Sequence, residues 1–99
     1  SRGLGDVYKR QRYEKEGFFY NSQIPAKKIA TFCALKKDEK RHMQQIYETL
    51  NLSVRSYHKI LKTARTIADI EGSEEIRMEH LHEAICYRSI DSNFWERRR

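Results

Sequence analysis

The sequence is poor in the residues that interrupt helices, with one proline and four glycines among 99 residues. An all-β fold needs a turn about every 8–12 residues, and glycine and proline build most such turns. No apolar run approaches the ~18 residues of a membrane-spanning helix, and the N-terminus has no signal-peptide core. We therefore expect one all-α domain with no membrane segment and a cytoplasmic location.

Cysteine is also scarce. Cys33 and Cys86 are far apart and form no C-x-x-C pair, so they do not indicate a disulfide framework. Both fall in helical patterns, and we expect two small buried thiols in a reducing cytosol. His82 and Cys86 are four residues apart with His80 nearby, but no second cluster completes a four-ligand set, so no metal site is predicted.

The net charge of +6 suggests nucleic-acid binding until its distribution is considered. Residues 1–12 carry a net charge of +3 and residues 96–99 carry +2, which leaves +1 for residues 13–95. Attraction to phosphate requires cations clustered on one surface. Because the basic excess lies in the two ends, bulk charge is weak support for a DNA-binding domain.

Apolar residues at intervals of three and four predict five helical segments, over about residues 6–16, 26–33, 36–50, 54–71 and 78–88. The fourth segment has the most complete pattern, since Ser53 is a good N-cap and Gly72 a good C-terminal residue. Its predicted apolar stripe comprises Val54, Tyr57, Ile60, Leu61, Ala64, Ile67 and Ala68. We predict a small all-α bundle of four to five helices in which this stripe organises the core.

Arg55 is the main candidate for function because it lies in the first turn of that helix. The helix dipole disfavours a cation there, whereas an anion bound at a helix N-terminus would favour it. Lys59 and Lys62 follow at i+4 and i+7, with His58 and Arg65 at their flanks. This row is either an ordinary solvated face or a surface for a phosphate, DNA or another subunit.

Five stretches of the sequence resemble the C-terminal domain of the magnesium-chelatase-like AAA+ ATPases of the ComM/YifB type. The resemblance covers about residues 12–91, whereas residues 1–11 do not fit, and we interpret those as a foreign or damaged start. Residues 92–99 are interpreted as a basic tail. The stretches that carry the resemblance are Leu52–Arg55, Tyr57–Leu61, Ala64–Asp69, His80–Leu81 and Glu83–Arg88.

This resemblance implies the helical lid of a larger ATPase whose Walker motifs lie upstream. ATP and Mg²⁺ would bind the intact protein, and none would be held by this chain alone, which contains no G-x-x-x-x-G-K-[ST] motif and no assigned catalytic residue. Arg55 matches the family's sensor-2 arginine, in the same subunit or in a neighbour. Lys59, Lys62 and Arg65 form the possible phosphate, DNA or subunit-contact face.

The partners that the resemblance implies are the upstream ATPase domain and neighbouring subunits of a ring homo-oligomer. ComM proteins are associated with DNA branch migration during natural transformation, so DNA is a further expected partner. The alternatives are a stand-alone helical DNA-binding module, the lid of a true magnesium chelatase that inserts magnesium into porphyrin, and a domain used only for oligomer contacts.

Overall fold

The computed structural model describes the backbone of residues 12–98 and the side chains of residues 12–88. No strand occurs within those residues, and none of their helices is long and apolar enough to cross a membrane. The predicted all-α class is therefore confirmed. The α-helices are α1 (Ile29–Phe32), α2 (Lys37–Thr49), α3 (Val54–Ile70) and α4 (Met78–Arg98), preceded by two 3₁₀ turns at Asn21–Gln23 and Ala26–Lys28.

The ends of α3 are those predicted from its capping residues. The Ser53 hydroxyl accepts a hydrogen bond from the backbone N–H of Ser56 at 3.0 Å, as an N-cap should. Gly72 has a φ of 75°, and its N–H donates to the carbonyl of Asp69 while that of Ser73 donates to Ala68. These paired bonds are a Schellman motif, which requires a left-handed residue after the helix.

The core lies mainly between α3 and α4, and α1 and α2 cover its sides. Most of the predicted apolar stripe of α3 is buried, but Val54 is 57% exposed, and the buried residues of this helix begin at Ile60. Leu50, just after the end of α2, is 44% exposed. The buried apolar residues are Tyr13, Ile24, Ile29, Cys33, Met43, Leu52, Ile60, Leu61, Ala64, Ala68, Ile76, Leu81 and Ala84.

The two cysteines differ from expectation in one respect. Cys33 is buried, and burial raises the pKa of its thiol to about 11, so it is an inert packing residue. Cys86 is exposed, contrary to the prediction. On α4, Leu81, Ala84 and Ile85 define the core-facing side, and the next residue along the helix turns away from that side.

Two predicted helix ends are also wrong. The last helix continues to Arg98 rather than ending near Arg88, since residues 89–98 contain no glycine or proline that would stop it. Near the N-terminus, residues 6–11 lie outside the described residues, and the helix ends at Tyr13 rather than near Glu16. The chain turns there because Phe18 packs back on the Tyr13 ring, with centroids 4.8 Å apart.

Candidate functional site

A cationic groove runs along one side of the N-terminal half of α3. It has a volume of about 760 Å³ and is open to solvent. The helix forms one side of the groove, and Ser22 and Ala26 of the 3₁₀ segments form the opposite wall. We call it the α3 groove, and its lining residues are Ser22, Ala26, Val54, Arg55, His58, Lys59, Lys62, Thr63 and Thr66.

The structure brings the predicted row of Arg55, Lys59 and Lys62 together in this groove. Arg55 is exposed in the first turn of α3, and its guanidinium makes no hydrogen bond or ion pair with residues 12–88. Lys62 donates a hydrogen bond to the carbonyl of Ser22 at 3.3 Å. Among the described residues, no carboxylate belongs to the lining, so the α3 groove presents cations and hydroxyls to an anionic ligand.

Arg65 does not belong to this face, contrary to the prediction. Its side chain is 4% exposed on the opposite flank of α3. Its guanidinium donates to the Asp69 carboxylate at 3.1 Å and to the carbonyls of Ser73 and Glu74 at 2.8 and 2.9 Å. A guanidinium with every branch bonded inside the protein can be buried, and that is why Arg65 is unavailable to an external phosphate.

Asp69 accepts these bonds at the centre of a buried polar cluster that sequence reasoning did not identify. Arg12 donates to both of its carboxylate oxygens, at 2.7 and 2.9 Å, and Asn21 donates to one of them at 2.8 Å. Asn21 also donates to the Thr66 hydroxyl at 3.0 Å. We call Arg12, Asn21, Arg65 and Asp69 the Asp69 cluster.

The charges of the Asp69 cluster are mutually stabilised. Burial raises the pKa of Asp69, but hydrogen bonds from Arg12 and Asn21 and the charges of both arginines outweigh burial, and its pKa lies below the usual value. Burial lowers the pKa of Arg12, whereas bonding to Asp69 raises it, and the net direction is upward. Burial lowers the pKa of Arg65. The cluster therefore holds one carboxylate between two guanidinium ions at neutral pH.

The Asp69 cluster holds in place residues that form the α3 groove. Asn21 is fixed by Asp69 and Thr66, and the next residue, Ser22, forms the wall of the groove opposite Lys62. Thr66 itself lines the groove. The width of the groove thus depends on hydrogen bonds that tie the N-terminal segment to the C-terminal half of α3.

The sequence contained one signal for this cluster. Arg65 and Asp69 are an i, i+4 pair placed beside Ala64 and Ala68, which belong to the apolar stripe. An ion pair at the edge of an apolar stripe is expected to be partly buried against the core. Its other partners, Arg12 and Asn21, lie 57 and 48 residues before Asp69, and no local pattern connects them.

The sequence is similar to one known protein family. The sequence profile of the family described as magnesium chelatase, subunit ChlI C-terminal, matches residues 6–88. The match begins inside the segment that we interpret as foreign, and the domain boundary at residue 12 stays a prediction. No solved structure matches the chain.

Three curated relatives are similar to most of the chain. The uncharacterized protein YifB of Salmonella typhimurium is 41% identical over 72% of it, and YifB of Escherichia coli is 38% identical over 83%. The competence protein ComM of Haemophilus influenzae is 40% identical over 71%. The aligned part covers only 14–16% of the length of these relatives.

Proposed function

Because the chain belongs to the magnesium chelatase subunit ChlI C-terminal family, in the branch of ComM and YifB, we propose that it is the lid domain of a ComM-like AAA+ ATPase. In this proposal Arg55 is the sensor-2 arginine and contacts the terminal phosphate of ATP. One observation carries the assignment: Arg55 is an exposed cation in the first turn of α3, in a groove to which residues 12–88 contribute no carboxylate.

The position of Arg55 suits a phosphate for two physical reasons. The N-terminus of α3 carries partial positive charge and free N–H groups, both of which favour an anion. A guanidinium offers several N–H donors in a fixed plane, which matches phosphate oxygens. During phosphoryl transfer negative charge develops on these oxygens, and a positioned cation stabilises the transition state.

The remaining parts of the proposal concern the intact protein. ATP and Mg²⁺ bind an upstream ATPase domain, and Arg55 reaches the nucleotide of its own subunit or of a neighbour in a ring homo-oligomer. Lys59 and Lys62 line the same groove and serve the phosphate, DNA or a subunit contact. One relative is named a competence protein, which supports action of the intact protein on DNA during natural transformation.

The test is ATP hydrolysis by the full-length protein carrying Arg55→Ala. We expect turnover to fall at least about tenfold, since loss of one donor to developing charge commonly costs more than that. The matched control is Arg41→Ala, which removes an exposed arginine from α2, away from the groove, and should leave turnover within about twofold. Equal turnover in the wild type and both variants would refute the sensor assignment.

A stand-alone DNA-binding module is the second candidate, and the alignment of Arg55, Lys59 and Lys62 along one groove favours it. Binding of the 99-residue chain to duplex DNA should then weaken steeply with salt, with a log–log slope of about −0.9 for each phosphate contacted. Absence of binding at low salt excludes this candidate. A true chelatase lid is less favoured, since the three relatives reported above are named YifB and ComM.

A further inference from the structure

Two histidines from different helices meet on the surface between α2 and α4. The Nε2 atoms of His42 and His82 are 3.2 Å apart, although the residues are 40 positions apart in the chain. The rings cross at 71° with centroids 4.9 Å apart, which is a T-shaped arrangement and not a stack. His82 is exposed, and the pair is open to solvent.

We propose that His42 and His82 bind a divalent transition-metal cation, such as Zn²⁺, between α2 and α4. In tetrahedral zinc sites each Zn–N bond is about 2.0–2.1 Å long, which separates two ligand nitrogens by about 3.3 Å. The observed separation of 3.2 Å is close to that value. The two imidazoles therefore need little movement to become ligands of one ion.

The protonation of the rings is compatible with metal binding. A neutral imidazole binds a metal through one nitrogen while the other nitrogen carries the proton. Neither His42 nor His82 uses its Nδ1 in a hydrogen bond with residues 12–88. The 3.2 Å contact is a hydrogen bond in which one of the two Nε2 atoms donates. Binding of an ion would move that proton to the Nδ1 of the same ring, where it can face water, and would leave both Nε2 lone pairs for the ion.

His80 provides an instructive contrast within the same helix. Its side chain lies with those of Glu71 and Glu79, with potential ligand atoms within 4.8 Å of one another. However, its Nδ1 accepts the backbone N–H of Arg77 at 2.8 Å, so the proton sits on Nε2, which is directed at the Glu71 carboxylate. His80 is thus engaged in capping the start of α4 and has no free lone pair for a metal.

The backbones that carry the two histidines are fixed by the core. Met43 follows His42, Leu81 precedes His82, and both of these neighbours are fully buried. At the start of the same pair of helices, Lys36 bonds Glu75 at 2.9 Å. Because each histidine is next to a residue buried in the core, the backbone positions of the two ligands are set before the metal arrives, and less entropy is lost on binding.

The donor set defines the class of ion. Imidazole nitrogens suit Zn²⁺, Cu²⁺ and Ni²⁺, whereas Mg²⁺ and Ca²⁺ prefer oxygen ligands. The remaining coordination positions are open to water. Cys86 lies one turn after His82, but its sulfur is not close enough to both Nε2 atoms to form a group of three ligands. The proposed site therefore consists of two histidines.

The experiment is a calorimetric titration of the chain with Zn²⁺, and with Ni²⁺ in parallel, at neutral pH. We expect one ion per chain, at least tenfold weaker binding in His42→Ala and in His82→Ala, and little further loss in the double variant. The losses are non-additive because both ligands hold one ion. Circular dichroism confirms that each variant is folded.

Two controls make the outcome specific. His58→Ala removes a histidine of the α3 groove, and Cys86→Ser removes the exposed thiol near the pair; both should bind zinc within twofold of the wild type. Long-range ¹H–¹⁵N spectra should show zinc-dependent shifts of Nε2 in His42 and His82 but not in His80. Unchanged affinity in the two histidine variants, or an equal loss in either control, would overturn the proposal.

Discussion

At the scale of single residues, Asp69 decides whether the domain's polar interior is stable. It is 1% exposed and balances two guanidinium ions, each of which has other partners. Replacing a buried ion pair as a whole can be neutral, but removing one partner leaves the others charged and desolvated. Asp69 is therefore more important to stability than its exposed counterparts on α2.

We predict that Asp69→Asn destabilises the domain by about 3 kcal/mol or more, because it leaves Arg12 and Arg65 without a counter-ion. Denaturant unfolding at pH 7 measures this change. The control is Glu48→Gln on the exposed face of α2, which should alter the free energy of unfolding by less than about 0.5 kcal/mol. Similar stability of the two variants would contradict the role assigned to the Asp69 cluster.

The same carboxylate predicts a direction for the pH dependence. The pKa of Asp69 is lower in the folded state than the value of about 3.9 in unfolded chains. Its contribution is therefore complete above that unfolded value and is lost as the pH falls through the folded pKa. The stability difference between the wild type and Asp69→Asn should be constant above about pH 5 and shrink below about pH 4. A difference that grows in acid would contradict this.

At the scale of elements, α3 is defined by its two ends. Ser53 satisfies an N–H at the start, and Gly72 allows the left-handed turn after the last residue. The carbonyls of Ser73 and Glu74, just beyond that turn, accept bonds from Arg65. The turn that ends α3 therefore also determines the direction in which the chain enters α4.

Gly72→Ala should lower the free energy of unfolding by about 1 kcal/mol, since a side chain is strained at a φ of 75°. Gly17→Ala is the matched control, because an added Cβ there meets nothing within 4 Å and the residue has no positive φ. It should be neutral or slightly stabilising. Thermal melts of both variants compare them, and an equal loss at the two sites would rule out the capping explanation.

Some helix ends could be predicted from the sequence and others could not. The bounds of α3 were predictable because Ser53 and Gly72 act through bonds to residues within five positions. The burial of Arg65 was not predictable from the sequence. Its hydrogen bonds to the Ser73 carbonyl and to Asp69 depend on how the turn and the Asp69 cluster pack in the folded domain. The C-terminal end of α4 was not predictable, because residues 89–98 contain no glycine or proline that would mark the end of a helix.

At the scale of the whole molecule, the Asp69 cluster and the α3 groove belong together. The N-terminal segment is fastened to α3 through Arg12 and Asn21, and this contact forms one wall of the groove in which Arg55 lies. The exposed row of Arg55, Lys59 and Lys62 was predictable from helical spacing. The opposite wall of the groove was not predictable, since it depends on tertiary contacts such as that between Lys62 and Ser22, which are 40 positions apart.

In the proposed function, Arg55 contacts the γ-phosphate of ATP in the intact protein. Equilibrium binding of ADP and of a non-hydrolysable ATP analogue to the full-length protein distinguishes a contact with this phosphate from a general effect on nucleotide binding. In Arg55→Ala, affinity for the analogue should fall about tenfold or more, since a charged hydrogen-bonding pair contributes about 1.5–3 kcal/mol, while ADP affinity stays unchanged. Equal effects on both nucleotides, or none on either, would contradict the claim.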